Sequence, residues 1–128
     1  MTDLRDLMNA DVLTTAGDTP VAQTAASMMK AKVGSVVVME GSWLVGILTE
    51  RDVVRAAASG EDLNQSQVGK WMTKDPMSAS PDMSVDEAAQ IMLLNGFRHL
   101  PVVEGKEVRG VVSIRDLLAA RIKRPAKD

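Results

Sequence analysis

Apolar positions change period along the chain in an order that occurs twice. Behind Asp18-Thr19-Pro20, residues Val21, Ala25, Met28 and Met29 recur at helical spacing. Thr19 is the expected cap, and Pro20 suits the first helical turn. Two β-branched runs then cover 35–39 and 43–48 around Glu40-Gly41-Ser42, which predicts a hairpin. A helix is predicted over 49–58. The second pass places Ser84 and Glu87 as a capping box ahead of Val85, Ala89 and Met92, with Asn95-Gly96 as the stop. Runs at 100–103 and 108–112 form a second hairpin, and a last helix is predicted over 113–122. Both hairpins are too continuously apolar to leave one face in water, so both faces are expected to be covered.

The two passes are copies. Gly46-Ile47-Leu48-Thr49-Glu50-Arg51-Asp52 returns as Gly110-Val111-Val112-Ser113-Ile114-Arg115-Asp116, 64 positions later. Met8 and Met72, Asp11 and Asp75, Val21 and Val85, Val38 and Val102 keep the same offset. About a dozen such identities without a gap are what a duplicated structural unit leaves in sequence. The repeats span 4–60 and 68–122, joined by a polar stretch at 59–66 and followed by a basic tail over 123–128.

Composition narrows the function classes. No apolar run approaches the ~20 residues of a membrane span, and the first residues lack a signal-peptide pattern, so a cytoplasmic location is expected. A net charge of −2 gives no overall pull toward a phosphate backbone, and two Trp, one Phe and no Tyr supply few stacking platforms. Neither a membrane nor a nucleic acid is an expected partner. One histidine and no cysteine leave no metal site, and there is no Gly-x-x-x-x-Gly-Lys loop; no catalytic residue is expected. Methionines at helical spacing read as core filler, some available to a dimer partner.

Thr-x-x-Asp at a strand-to-helix junction has a purely structural reading: Thr49 with Asp52, and Ser113 with Asp116, can each form a capping box. A functional reading uses the same groups. A helix N-terminus suits an anion, an aspartate accepts two vicinal ribose hydroxyls, and Thr49 or Ser113 adds a neutral hydroxyl. Arg51 and Arg115 offer planar forks for phosphate or pair with acidic neighbours. Gly46 and Gly110 lie inside strands, where a missing side chain admits a base or a neighbouring backbone.

With the repeated Gly-x-x-[Ser/Thr]-x-x-Asp segments, Leu7-Met8 and Trp71-Met72 ahead of Asp11-Val12 and Asp75-Pro76, and Arg98-His99-Leu100-Pro101-Val102-Val103, the chain resembles the paired cystathionine-β-synthase (CBS) domains of Bateman modules. The resemblance implies an α+β fold, a β-α-β-β-α unit used twice about a pseudo-twofold axis with small sheets packed face to face. It implies clefts that take AMP, ADP, ATP or S-adenosylmethionine, no required cofactor, a homodimer, and regulation of an unidentified protein partner. Carried over, Asp52 and Asp116 hold ribose with Thr49 and Ser113 in support. Backbone near Leu13-Thr14 and Met77-Ser78 meets the adenine edge, and Val36, Leu100, Pro101, Ile47 and Val111 flank the ring. Arg98 and His99 match phosphate-contacting positions. Their counterparts Gly34 and Ser35 carry no charge, so the Asp116 half is the better equipped for a phosphorylated ligand. The alternative is a scaffold that dimerises by the same fold without ligand.

Overall fold

The computed structural model describes residues 2–123, with side chains to residue 120. In chain order the elements are α1 (Leu4–Leu7), β1 (Thr14–Thr15), α2 (Val21–Ala31), β2 (Ser35–Glu40), β3 (Trp43–Thr49), α3 (Glu50–Ala58), α4 (Val68–Trp71), β4 (Thr73–Lys74), α5 (Val85–Asn95), β5 (His99–Glu104), β6 (Glu107–Ser113) and α6 (Ile114–Lys123). Beyond the end of α6, the basic tail lies outside the described residues. Each repeat follows the β-α-β-β-α order, the first strand of the second repeat being reduced to a parallel bridge between Ala79 and Val102.

The chain forms two compact units. One is Leu13–Pro76, a four-stranded sheet in the order β1-β2-β3-β4. β1 runs parallel to β2, and β2 pairs antiparallel with β3 from Ser35–Thr49 to Glu40–Trp43. Four consecutive β2 residues, Ser35 to Val38, are buried. The core joins Met28 of α2 to Val36, Val38 and Leu48 of the hairpin and Val68 of α4. The other unit combines the chain up to Val12 with Met77 onward. Its hairpin β5–β6 repeats the same register from His99–Ser113 to Glu104–Glu107, and its core joins Leu4 to Met92, Leu100, Val112 and Leu117.

The lead-in segments are exchanged. The first residues of the first repeat pack with the second repeat's hairpin: Asn9 and Val111 exchange backbone hydrogen bonds at 2.9 and 3.1 Å, and Leu4 N donates to Met83 O at 3.0 Å. The equivalent first residues of the second repeat pack with the first repeat's hairpin, through β4 on β3 (Ile47 with Thr73) and Val68 N to Thr19 O at 2.9 Å. Gly46 and Gly110 exist for this exchange. A Cβ on Gly110 would lie 2.8 Å from the Met8 side chain and 2.9 Å from Asn9 O; one on Gly46 would overlap Met72 Sδ and reach within 3.0 Å of Thr73 O. Of the two expectations for these glycines, close approach of neighbouring chain is the one they serve here.

Two local expectations are corrected. Thr19 does not cap α2: Pro20 occupies the cap position in extended backbone, ψ 142°, with no side-chain cap, and its carbonyl accepts from Thr24 N at 3.2 Å. Glu87 does not close a box with Ser84, whose hydroxyl alone accepts from Glu87 N at 3.1 Å. Gly96 ends α5 in left-handed backbone, φ 74°, as Asn95-Gly96 predicts. Met28 and Met92 are core, whereas Met29 is 80% exposed.

Candidate ligand-binding site

The chemistry-bearing residues gather at equivalent corners where a hairpin meets its following helix. In the Leu13–Pro76 unit, β3 ends at Thr49 and α3 begins. Thr49 caps: its Oγ1 accepts from Asp52 N at 3.3 Å, while Thr49 N and Oγ1 both donate to Asp52 Oδ2, at 2.9 and 3.1 Å. Asp52 is buried, so its second oxygen needs a partner too. Arg55, one turn on, supplies it by donating to Oδ1 at 2.9 Å. Arg55 also lies 5.6 Å from the centre of the Trp71 ring, and Lys70 sits at the same distance. Trp71 Nε1 donates to Ser66 Oγ at 2.8 Å, Ser66 donates to Glu61 at 2.8 Å, and Lys70 pairs with Glu61. Every polar atom of the Asp52 carboxylate is therefore engaged inside its own unit.

The second corner has the same cap and a different surrounding. Ser113 N donates to Asp116 Oδ2 at 2.9 Å and Asp116 N donates to Ser113 Oγ at 3.1 Å. Ala119 stands where Arg55 stands in the first repeat, and Leu7 where Trp71 stands. Among the described residues, nothing bonds to Asp116 Oδ1, and the Ser113 hydroxyl proton is not given to Asp116. Asp116 is half-buried. Arg98 and His99 are at this corner: His99 is the cross-strand partner of Ser113, and Ile114 N donates to Arg98 O at 2.9 Å. Gly34 and Ser35 occupy the matching places, with Glu50 N bonded to Gly34 O at 3.0 Å. Arg98, Arg51 and Arg115 are exposed and make no ion pair among the described residues.

The remaining expected residues are spread over several places. Leu13, Thr14 and Val36 line one cavity of about 190 Å³ in the Leu13–Pro76 unit; Thr49, Asp52 and Ile47 do not line it. Val36 and Leu100 also belong to the two cores. Ile47 pairs with Val37, and Val111 with Pro101. Met77 and Ser78 are exposed, ahead of Ala79, whose N donates to Pro101 O at 2.9 Å. The expected set omits Arg55 and Trp71. The readable signal for them is a difference between repeats, Arg55 against Ala119 and Trp71 against Leu7.

The CBS domain family model matches residues 4–59 and 68–123. The chain belongs to the CBS domain family. Among its relatives, a 17.7 kDa protein of Acidianus ambivalens is 46% identical over 102 residues, covering 78% of this chain and 61% of its own length. The CBS domain-containing protein YhcV of Bacillus subtilis is 33% identical over 118 residues, covering 91% and 84%. The CBS-domain protein ATU1752 of Agrobacterium tumefaciens superposes with TM-score 0.87 at 34% identity over 94% of this chain and 99% of its own. The CBS domain pair of MJ0100, solved in complex with 5-methylthioadenosine and S-adenosyl-L-methionine, shares the fold at TM-score 0.86 and 24% identity, covering 94% and 96%. No helix among the described residues is long and apolar enough to cross a membrane.

Proposed function

We propose that this CBS pair is a non-catalytic regulatory module that binds an adenosine compound (AMP, ADP, ATP or S-adenosylmethionine) at the Asp116 corner. The bound state then modulates a partner protein or the module's own assembly. Asp116 Oδ1, which has no hydrogen-bond partner among the described residues, carries this reading. One carboxylate oxygen holds the helix cap while the other is available to ribose hydroxyls, with the Ser113 hydroxyl beside it. Arg98 and Arg115 are exposed cations suited to phosphate. The MJ0100 complex lends the ligand class, through a likeness that is one of fold.

A ligand that binds only the folded chain stabilises it by RT ln(1 + [L]/Kd), about 2.7 kcal/mol at a hundredfold excess over Kd. Melting curves with AMP, ADP, ATP and S-adenosylmethionine are the test. At least one is expected to raise the midpoint, and Asp116→Asn to remove the rise. A well-folded sample unmoved by all four overturns the reading.

A second reading, assembly with a second copy independent of ligand, has its own observation. Met29 and Val54 expose 80% and 65% of their surface, and the repeat-equivalent Leu93 and Leu118 expose 82% and 57%. An apolar surface kept at the same positions of α2–α3 and α5–α6 fits a symmetric homodimer.

A further inference from the structure

Residues 2–9 are seated on one unit and lead into the other. Leu4 is fully buried in the core it shares with Met92, Leu100 and Val112. Leu4 N donates to Met83 O at 3.0 Å, Arg5 N to Pro81 O at 3.0 Å, and Val85 N to Thr2 O at 3.4 Å. This pattern sets Asp3 opposite Ser84 as a non-hydrogen-bonded antiparallel pair. Asn9 takes the outer edge of β6 at Val111, and Met8 fills the hollow left by Gly110. Beyond Asn9, residues 10–12 alone separate this seated segment from Leu13, where the other unit begins.

Those connecting residues form a compact hinge. Asp11 N donates to Asn9 Oδ1 at 3.0 Å, and Val12 N donates to Ala10 O at 3.0 Å, so the backbone turns tightly between Asn9 and Val12. Ala10 and Asp11 are exposed, and straightening the hinge gives up two local hydrogen bonds that water replaces. The segment itself is lightly anchored. Leu4 is its one buried side chain, Leu7 and Met8 are half-buried, and the ion pairs of Arg5 with Asp82 (3.1 Å) and Glu104 (3.9 Å) are exposed. Its counterpart in the second repeat is pinned more firmly. There Trp71 Nε1 bonds Ser66 and Lys70 pairs with Glu61, where this segment has Leu7 and Asp6.

We propose that residues 2–9 swap between two copies of this chain, the segment of each seating in the Leu4 pocket and on the β6 edge of the other. Every contact the segment makes within its own chain is remade between chains. The two forms therefore differ only in the hinge and in the concentration of the second copy. Release of the segment is a local opening that exposes one buried leucine, and two reciprocal swaps close a twofold dimer. This contact uses none of the exposed apolar residues of α2, α3, α5 and α6, and it does not depend on a ligand.

The chain has no cysteine, which permits a clean trap. Opposed residues of a non-hydrogen-bonded pair stand ~4.5 Å apart at Cα, within disulfide reach. The full chain carrying Asp3→Cys is mixed with an isotopically heavier full chain carrying Ser84→Cys, oxidised mildly and weighed by mass spectrometry. Neither chain can form a disulfide within itself. The mixed disulfide between positions 3 and 84 is expected to form roughly tenfold faster than either symmetric one. It is expected to persist with Leu93→Glu and Leu118→Lys in both chains, which separates it from association through the exposed helix faces. Should a cysteine variant misfold, isotope-filtered NMR on mixed labelled and unlabelled wild type replaces the trap. At high concentration it is expected to show contacts between Leu4 of one copy and Leu100 of another. A mixed disulfide no faster than the symmetric ones, its loss in the Leu93/Leu118 background, or the absence of interchain Leu4–Leu100 contacts overturns the inference and keeps the segment in its own chain.

Discussion

Arg55 donates to Asp52 Oδ1 at 2.9 Å, and Ala119 occupies its place beside Asp116. Both repeats carry the same capped acid, and Arg55 against Ala119 is one of the differences that separate their surroundings. Arg55 acts as a built-in counter-ion, steered by the Trp71 face. Its side chain is 57% exposed, so the ion pair contributes below about 1 kcal/mol to stability. Arg55→Ala leaves the buried Asp52 Oδ1 without that partner, so it is expected to lower stability by about 1–3 kcal/mol while opening Asp52 to a sugar hydroxyl. Calorimetric titration with the nucleotide that stabilises wild type is expected to rise from one site per chain to two. In Arg55→Ala/Asp116→Asn it is expected to return to one. Unchanged stoichiometry in Arg55→Ala would show that Asp52 is closed by something other than the arginine.

The glycines of the repeated motif hold space for methionine and backbone. Gly110→Ala drives a methyl group to 2.8 Å from the Met8 side chain and 2.9 Å from Asn9 O. The methionine can swing away, but the carbonyl belongs to the Asn9–Val111 bridge and cannot. A loss of about 1–3 kcal/mol is expected in urea unfolding. Met8→Ala in the same chain should recover only part of it, since the carbonyl clash persists. Gly46→Ala with Met72→Ala repeats the test in the other unit. Full recovery in either double variant would place the whole strain on the sulfur side chain.

Glu61 sets an acid-sensitive point in the Leu13–Pro76 unit. The Lys70 ammonium, first, and the Ser66 hydroxyl, second, donate to it and hold its carboxyl below the usual glutamate range. A carboxylate with a lowered folded pKa stabilises above its ordinary value and loses that contribution as pH falls through the folded value. Urea midpoints followed from about pH 7 to about pH 3 should show a decline below the ordinary glutamate value of 4.5 that Glu61→Gln reduces. Because Ser66 also holds Trp71 Nε1, the variant should change tryptophan fluorescence as well. An acid limb identical in wild type and Glu61→Gln would refute the assignment.

What was legible in the sequence was local or repeated. Asn95-Gly96 stops α5 because glycine alone takes φ 74° without strain, a property visible in two letters. Thr49 with Asp52 and Ser113 with Asp116 are legible because a capping box spans one turn. Their second role is not, because Arg55 closes one acid through a side chain outside the motif. The lead-in exchange was hidden for a different reason: Asn9 meets Val111 and Thr73 meets Ile47 through backbone, which leaves no side-chain pattern. Thr19 misleads because its hydroxyl is a good cap by type, while the adjoining Pro20 takes the cap position in extended backbone.

The exposed apolar positions make the assembly reading separable from the nucleotide reading. Leu93 and Leu118 are 82% and 57% exposed on α5 and α6, and neither belongs to the core of its unit. Changing them should leave the fold intact, because exposed leucines in water contribute little to folding. If they face a second copy, each buried leucine contributes roughly 1.5–3 kcal/mol to association. Leu93→Glu with Leu118→Lys would then weaken dimerisation by two or more orders of magnitude. Sedimentation equilibrium should find wild type as dimer and the variant as monomer, with matching circular dichroism. Adding the stabilising nucleotide to wild type completes the argument. A dimer constant that moves with nucleotide requires different ligand affinities for monomer and dimer, and would join the two readings into one linked equilibrium. A constant that does not move leaves assembly and ligand binding as independent properties of the same repeats.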